Sequence, residues 1–114
     1  MDSTYALAYV GLGYCYLALC GWHVPKPSRK YLPEAKSCLN KALTLDKELA
    51  DAYYLSGKIF YLHEYNWDKA EEKYKKGIEL DPDNPNIGEY ANLLTALGRF
   101  DEAIEINRQN FRHY

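Results

Sequence analysis

Apolar residues recur along this chain at three- and four-residue steps, the spacing that gathers side chains on one face of an α-helix. The clearest stretch is Trp67–Leu80, where Trp67, Ala70, Tyr74, Gly77 and Ile78 fall on one side. Asn66 precedes it as an N-cap, Glu71/Lys75 and Glu72/Lys76 pair at i,i+4 on the wetter side, and Pro82 forbids continuation. Read the same way, a first helix runs from about Ser3, its cap, to Leu19, and a second from Leu32 to Leu45 with Pro33 in its first turn. Ala35, Leu39, Ala42 and Leu43 make the apolar face of the second. A third extends from Leu49 to His63 or Glu64, with Tyr53, Ser56, Gly57 and Phe60 on a common face, and Trp67–Leu80 is the fourth. Asp83-Asn84-Pro85 predicts a capped fifth helix with proline at its first position, ending at Leu97 where Gly98 accepts a left-handed conformation. Phe100, Ala103, Ile104 and Phe111 mark a sixth. Between the first two helices, Cys20 to Lys30 holds Gly21, Pro25, Pro27 and Ser28, which is loop chemistry.

None of these helices can bury its own stripe, so each needs a neighbour. The pattern implies an all-α fold of helix pairs joined by short turns. Ala35, Ala70 and Ala103 each lie early in the second helix of a pair, 35 and 33 residues apart. A fixed period of that length is the mark of a solenoid, in which each pair stacks on the next.

In this phase the chain resembles the tetratricopeptide repeat family, whose helical hairpin recurs about every 34 residues. The first repeat matches with Tyr9, Leu12-Gly13, Tyr16, Ala35, Leu39, Ala42 and Leu45. The second matches with Tyr53, Ser56-Gly57, Phe60, Trp67, Ala70, Tyr74, Gly77, Leu80 and Pro82. The third offers Ile87, Tyr90-Ala91, Leu94, Gly98, Phe100, Ala103 and Asn107. The resemblance implies a right-handed superhelical α-solenoid of three repeats, spanning residues 5–47, 48–82 and 83–114. The first has an extended loop at 20–30 and the second one extra residue near Tyr65-Asn66. Together, 1–114 would form a single repeat domain and a segment of a larger protein. The runs at residues 6–13 and 93–104 also look like repeat regions of bacterial signalling proteins.

Glycines inside helices cost up to about 1 kcal/mol against alanine, so Gly13 and Gly57 imply close helix approach, with Ala35, Ala70 and Ala103 as the small partners. Large residues, Trp67 among them, would fill the wider gaps. A buried Trp67 implies a cost of about 3–5 kcal/mol for Trp67→Ala.

Composition narrows the function classes. Among 114 residues, 14 Lys and Arg face 16 Asp and Glu, so no positive excess points to nucleic acid or an anionic membrane. The 12 tyrosines dominate the aromatic share and suit a surface packed on one side and wet at its hydroxyls. Three cysteines, Cys15, Cys20 and Cys38, show no disulfide-framework spacing, which fits a reducing, cytoplasmic setting. The uncharged run from Ser3 to Trp22 has the length of a membrane span. Its tyrosines, Tyr5, Tyr9, Tyr14 and Tyr16, and its glycines argue instead for a helix sandwiched in a solenoid.

Catalytic chemistry has little support, and no cofactor or metal is expected. His63-Glu64 begins like a zinc-protease motif, but Trp67 stands where the second histidine is required. Cys15, Cys20, His23 and Cys38 lack the spacing of a zinc site. The resemblance implies instead a non-catalytic module that binds a protein or peptide in a concave groove lined by the first helix of each pair. Carried over, the groove positions are Leu7, Val10, Tyr14, Leu17 and Ala18, then Asp51, Tyr54, Lys58, Tyr61 and Leu62, then Gly88, Glu89, Asn92, Thr95 and Ala96. Tyr14, Tyr54, Lys58, Tyr61 and Asn92 are the expected partner contacts: the tyrosines give stacking area, and Lys58 and Asn92 can hold an extended backbone or a carboxylate. Chaperone-binding members place Lys and Asn in the first repeat, where this chain has Val10 and Tyr14. The alternative is a structural module that self-associates through its uncapped terminal helices, at residues such as Leu7, Ile106 and Phe111.

Overall fold

The computed structural model describes residues 3–20 and 29–112. Among them are six α-helices: α1 (Ser3–Cys20), α2 (Leu32–Leu45), α3 (Ala50–Leu62), α4 (Trp67–Leu80), α5 (Ile87–Ala96) and α6 (Phe100–Arg112). A short 3₁₀ turn, Arg29–Tyr31, leads into α2. Most of the expected 20–30 loop, residues 21–28, lies outside the described residues, as do the side chains of Ser3 and Phe111.

Local chemistry sets the ends. The Asn66 side chain accepts from the Lys69 amide at 3.2 Å, so α4 opens on the cap its sequence implies. Pro33 sits in the first turn of α2, where its missing amide hydrogen costs nothing. The α5 helix differs from expectation: it opens at Ile87, not at Pro85. Asn84 still caps the turn, its side chain accepting from the Asn86 amide at 2.9 Å, but Pro85 occupies that turn and the regular helix follows it.

Two helix ends close by the same device at different lengths. After α5, Gly98 takes φ +79° and the Arg99 amide reaches back to the Leu94 carbonyl at 2.9 Å, the Schellman closure. After α3, Tyr65 takes φ 54° and the Asn66 amide reaches the Phe60 carbonyl at 2.8 Å, one residue further back. The extra residue near Tyr65-Asn66 is absorbed there, at a position where a side chain is strained.

Three hairpins, α1–α2, α3–α4 and α5–α6, make the most extensive contacts, and α2–α3 and α4–α5 join them into an α-solenoid. Described residues of α1 touch α3 and those of α3 touch α5, whereas those of α2, α4 and α6 do not touch one another. The first helices therefore crowd together and form the inner face of the array.

The core falls into two clusters. One joins Val10 and Leu17 of α1 to Leu32, Leu39 and Ala42 of α2 and Ala52, Leu55 and Ile59 of α3. The other joins Tyr54, Ala70 and Tyr74 to Tyr90, Leu93 and Leu94 of α5 and Ala103 of α6.

Between α3 and α4 the packing is reciprocal. A Cβ on Gly57 would meet the Tyr74 ring at 3.0 Å, and a Cβ on Gly77 would meet the Tyr54 ring at 2.9 Å. Each helix thus gives a glycine to the other's tyrosine. The two rings lie 6.2 Å apart at 52°, and Tyr74 continues onto Tyr90 in a stack at 5.7 Å. The atoms nearest Gly57 belong to the Tyr74 ring, whereas those nearest Gly13 are the Leu39 side chain and the Ala35 carbonyl.

Trp67 also departs from the expected burial. It keeps 38% of its surface exposed, with its ring edge-on to Tyr61 at 6.5 Å. As the first residue of α4 it lies beyond the cover of α5, and Phe100, first in α6, is exposed likewise. Ala70 and Tyr74, not Trp67, are the buried anchors of α4, so the cost of a fully buried aromatic does not apply to Trp67.

Candidate functional site

On the inner face, α3 and α5 run side by side and leave an open cleft of about 530 Å³ between them. Its walls are Lys58, Tyr61 and Leu62 from α3 and Glu89, Asn92, Thr95 and Ala96 from α5. Helical spacing accounts for the set. Lys58, Tyr61 and Leu62 are three and four residues apart, as are Glu89, Asn92 and Ala96, so each helix turns one strip toward the cleft.

Polar contacts tie the two walls together. The Tyr61 hydroxyl donates to the Asn92 carbonyl at 3.4 Å. Lys58 Nζ lies 3.9 Å from Glu89 Oε1, a half-exposed pair that solvent screens and that opens at little cost. The Thr95 hydroxyl is turned back onto the Ala91 carbonyl at 2.9 Å, the local bond that helical threonines favour. Asn92 is exposed on the wall, with an amide able both to donate and to accept. At one end Leu62 and Trp67 add exposed apolar area, Trp67 through its contact with Tyr61.

Of the five expected contacts, Lys58, Tyr61 and Asn92 come together in this cleft. Tyr14 does not line it, although its ring is exposed on α1. Tyr54 is excluded. It is 1% exposed, held over Gly77, and donates to the Asp81 carbonyl at 3.1 Å. Register assigns Tyr54 to the groove, but the hole made by Gly77 draws its ring into the core. Burial, with Asp81 and Asp51 nearby, pushes its hydroxyl pKa well above the ordinary tyrosine value. Val10 and Leu17 also leave the groove set, both buried against α2 and α3.

Glu89 is the wall residue whose role the register understates. It stands opposite Lys58 and already supplies a carboxylate, so Lys58 is not a bare cation awaiting one. Asp51 is also committed: the Asn84 amide, 5% exposed, donates to it at 2.6 Å and to Asp81 at 3.2 Å, pinning the start of α3 to the α4–α5 turn.

A second polar cluster lies where α4 meets α5 and α6. Tyr90 donates to Glu71 at 2.7 Å, and Arg99 donates to Glu71 at 2.6 Å and to both carboxylate oxygens of Glu102 at 2.6 and 2.9 Å. Burial alone would raise the Glu71 pKa, but the bonds from Tyr90 and Arg99, with the charge of Lys75 nearby, outweigh it and hold the carboxyl below its ordinary value. Among the described residues, no three His, Cys, Asp or Glu side chains converge as a metal site, and no helix is long and apolar enough to cross a membrane.

Apart from Lys58, the walls of the cleft fall within residues 61–109, and this segment matches the tetratricopeptide repeat family. Residues 61–109 are tetratricopeptide repeat sequence, and the six helices share the helical-repeat fold. The solved structure of PilF from Pseudomonas aeruginosa superposes with a TM-score of 0.75 at 29% identity, covering 90% of this chain and 42% of that one. In sequence the chain is also 34% identical over 102 residues to BBS4, a member of the BBSome complex, from Bos taurus. That alignment covers 90% of this chain and 16% of BBS4, so the repeats span a minor part of both relatives. Repeats of this family generally mediate protein–protein interaction.

Proposed function

We propose that the chain is a non-catalytic interaction module and that its α3–α5 cleft holds an extended segment of a protein partner. The observation that carries this reading is the convergence of Lys58, Tyr61 and Asn92 from two successive repeats on one open cleft. An extended peptide leaves its backbone amides and carbonyls unpaired, and the Asn92 amide offers both complementary groups at once. The Tyr61 ring and Leu62 give flat area for a side chain, and the Lys58–Glu89 pair can part to meet a charge of either sign. The BBSome membership of BBS4 is in keeping with a role in assembly.

A displayed library of unstructured peptides, selected on the chain, tests the reading. Selected peptides are expected to lose about tenfold or more in affinity to the Tyr61→Ala/Asn92→Ala variant, equivalent to about 1.4 kcal/mol. Asn92 is exposed, so Asn92→Ala alone should melt close to the parent, whereas Tyr61→Ala also loses packing against the second core cluster. Peptides that bind the variant as tightly as the parent would remove the cleft from the binding surface.

A further inference from the structure

The α1 helix carries an apolar stripe that nothing in this structure covers. Tyr5, Ala8, Leu12, Cys15 and Leu19 recur at alternating three- and four-residue steps, and all five are exposed, Tyr5 at 65%, Leu12 at 45% and Leu19 at 42%. The opposite face of the same helix, with Ala6, Val10, Gly13 and Leu17, is buried.

The repeats identify what this stripe is shaped to meet. Gly13, Gly57 and Ala91 occupy matching buried positions in α1, α3 and α5. In that register the stripe corresponds to Leu49, Ala52, Ser56, Ile59 and His63 of the second repeat. Leu49, Ala52 and Ile59 pack in the cluster that holds Leu39 and Ala42 of α2, and Ser56 lines a crevice beside Leu39 and Leu43. In the third repeat it corresponds to Tyr90, Leu93 and Leu97, which pack with Tyr74 of α4. Twice within the chain, then, this face receives the second helix of the preceding hairpin.

The other half of that interface is exposed at the far end. With Ala70 and Ala103 in register, Glu71 and Tyr74, the residues of α4 that meet Tyr90, correspond to Ile104 and Asn107 of α6. Ile104 is 53% exposed and Asn107 is exposed.

We infer that the occupant of the α1 stripe is α6 of a second copy, joined head to tail so that the junction repeats the α2–α3 and α4–α5 packing across two molecules. The basis is continuity. The two ends are the two halves of an interface the chain already builds twice. Such a junction uses different surfaces on the two molecules and leaves each pair with one free end of either kind, so growth continues instead of stopping at a dimer. The α1 stripe has no charge, so salt should not weaken the contact. Asn107 stands where α2 has Leu39 and α4 has Tyr74, which makes this junction weaker than the internal ones. The inference does not depend on the α3–α5 cleft.

Sedimentation equilibrium over a dilution series, with Leu12→Glu and Ile104→Glu variants, tests it. The parent is expected to gain weight-average mass steadily with concentration, beyond the dimer and undiminished at higher salt. Each variant alone should remain monomeric, with helical content unchanged because both positions are exposed. A one-to-one mixture of the two should form dimers and stop, since one intact α1 and one intact α6 remain. Alkylation of Cys15 in the parent should slow as concentration rises. A parent that stays monomeric at millimolar concentration overturns the inference and leaves the stripe to another partner. A parent that plateaus at the dimer, disrupted by Leu12→Glu but not by Ile104→Glu, also overturns it, in favour of α1 pairing with α1.

Discussion

Tyr54 and Tyr74 are both fully buried, yet their hydroxyls have opposite fates. Tyr54 donates to the Asp81 carbonyl at 3.1 Å, whereas Tyr74 has no hydrogen-bond partner in a site with no measurable exposure. Burial pushes both hydroxyl pKa values upward. A buried hydroxyl without a partner loses its hydration and regains nothing. Tyr74→Phe is therefore expected to be neutral or to stabilise by up to about 1 kcal/mol, while Tyr54→Phe should cost about 1 kcal/mol. Urea unfolding of the two variants measures the difference, and a Tyr74→Phe variant less stable than Tyr54→Phe would contradict it. The glycines make a second contrast. A Cβ added to Gly11 would have nothing within 4 Å, so Gly11→Ala should gain up to about 1 kcal/mol of helix propensity. Gly77→Ala drives a methyl to 2.9 Å from a ring that is itself enclosed, and should lose about 1–3 kcal/mol through overpacking. Thermal melts of the pair should move in opposite directions.

Helices and their order are legible from local chemistry: Asn66 and Gly98 announce ends, and Ala35, Ala70 and Ala103 keep the phase. What is not legible is how far each side chain sinks. Tyr54 holds a groove position by count, and only the glycine facing it on α4 reveals that its ring goes inward; the spacing of Gly57 with Tyr74 and of Gly77 with Tyr54 is the signal. Trp67 has the size of a core residue, but its place in the first turn of α4 leaves it without cover from the next hairpin. The Glu71 cluster is equally hidden, since it joins residues 19 and 28 positions apart. It carries a pH prediction for the α4–α5–α6 junction. Folded Glu71 titrates below its ordinary value of 4.5, so its charged form stabilises the fold. That contribution is fully present above about pH 4.5 and is lost as pH falls through the lower, folded value. Stability measured by denaturant from pH 7 down to pH 3 should fall less in Glu71→Gln than in the parent, and equal slopes would remove Glu71 as a source of acid sensitivity.

Across the whole array the hairpins are unequally supported. The α3–α4 pair is flanked on both sides and contributes to both core clusters, with Tyr54, Ala70 and Tyr74 at most 1% exposed. At the far end, Ala103 is the buried residue among the described side chains of α6, Ile106 is half-buried, and Ile104 is exposed. In a solenoid each repeat is stabilised by its own packing and by its nearest neighbours, so an end repeat opens more readily than a central one. Amide hydrogen exchange should follow that gradient: slowest in α3 and α4, faster in α5, fastest in α6. Head-to-tail association changes the gradient in a defined way, because α6 would then gain the neighbour that α4 already has. Raising the protein concentration should slow exchange in α6 and in α1 together while leaving α3 and α4 as they were. Uniform exchange across all six helices would mean that the array opens as one unit, and the support of each hairpin by its neighbours would then not be what separates their stabilities.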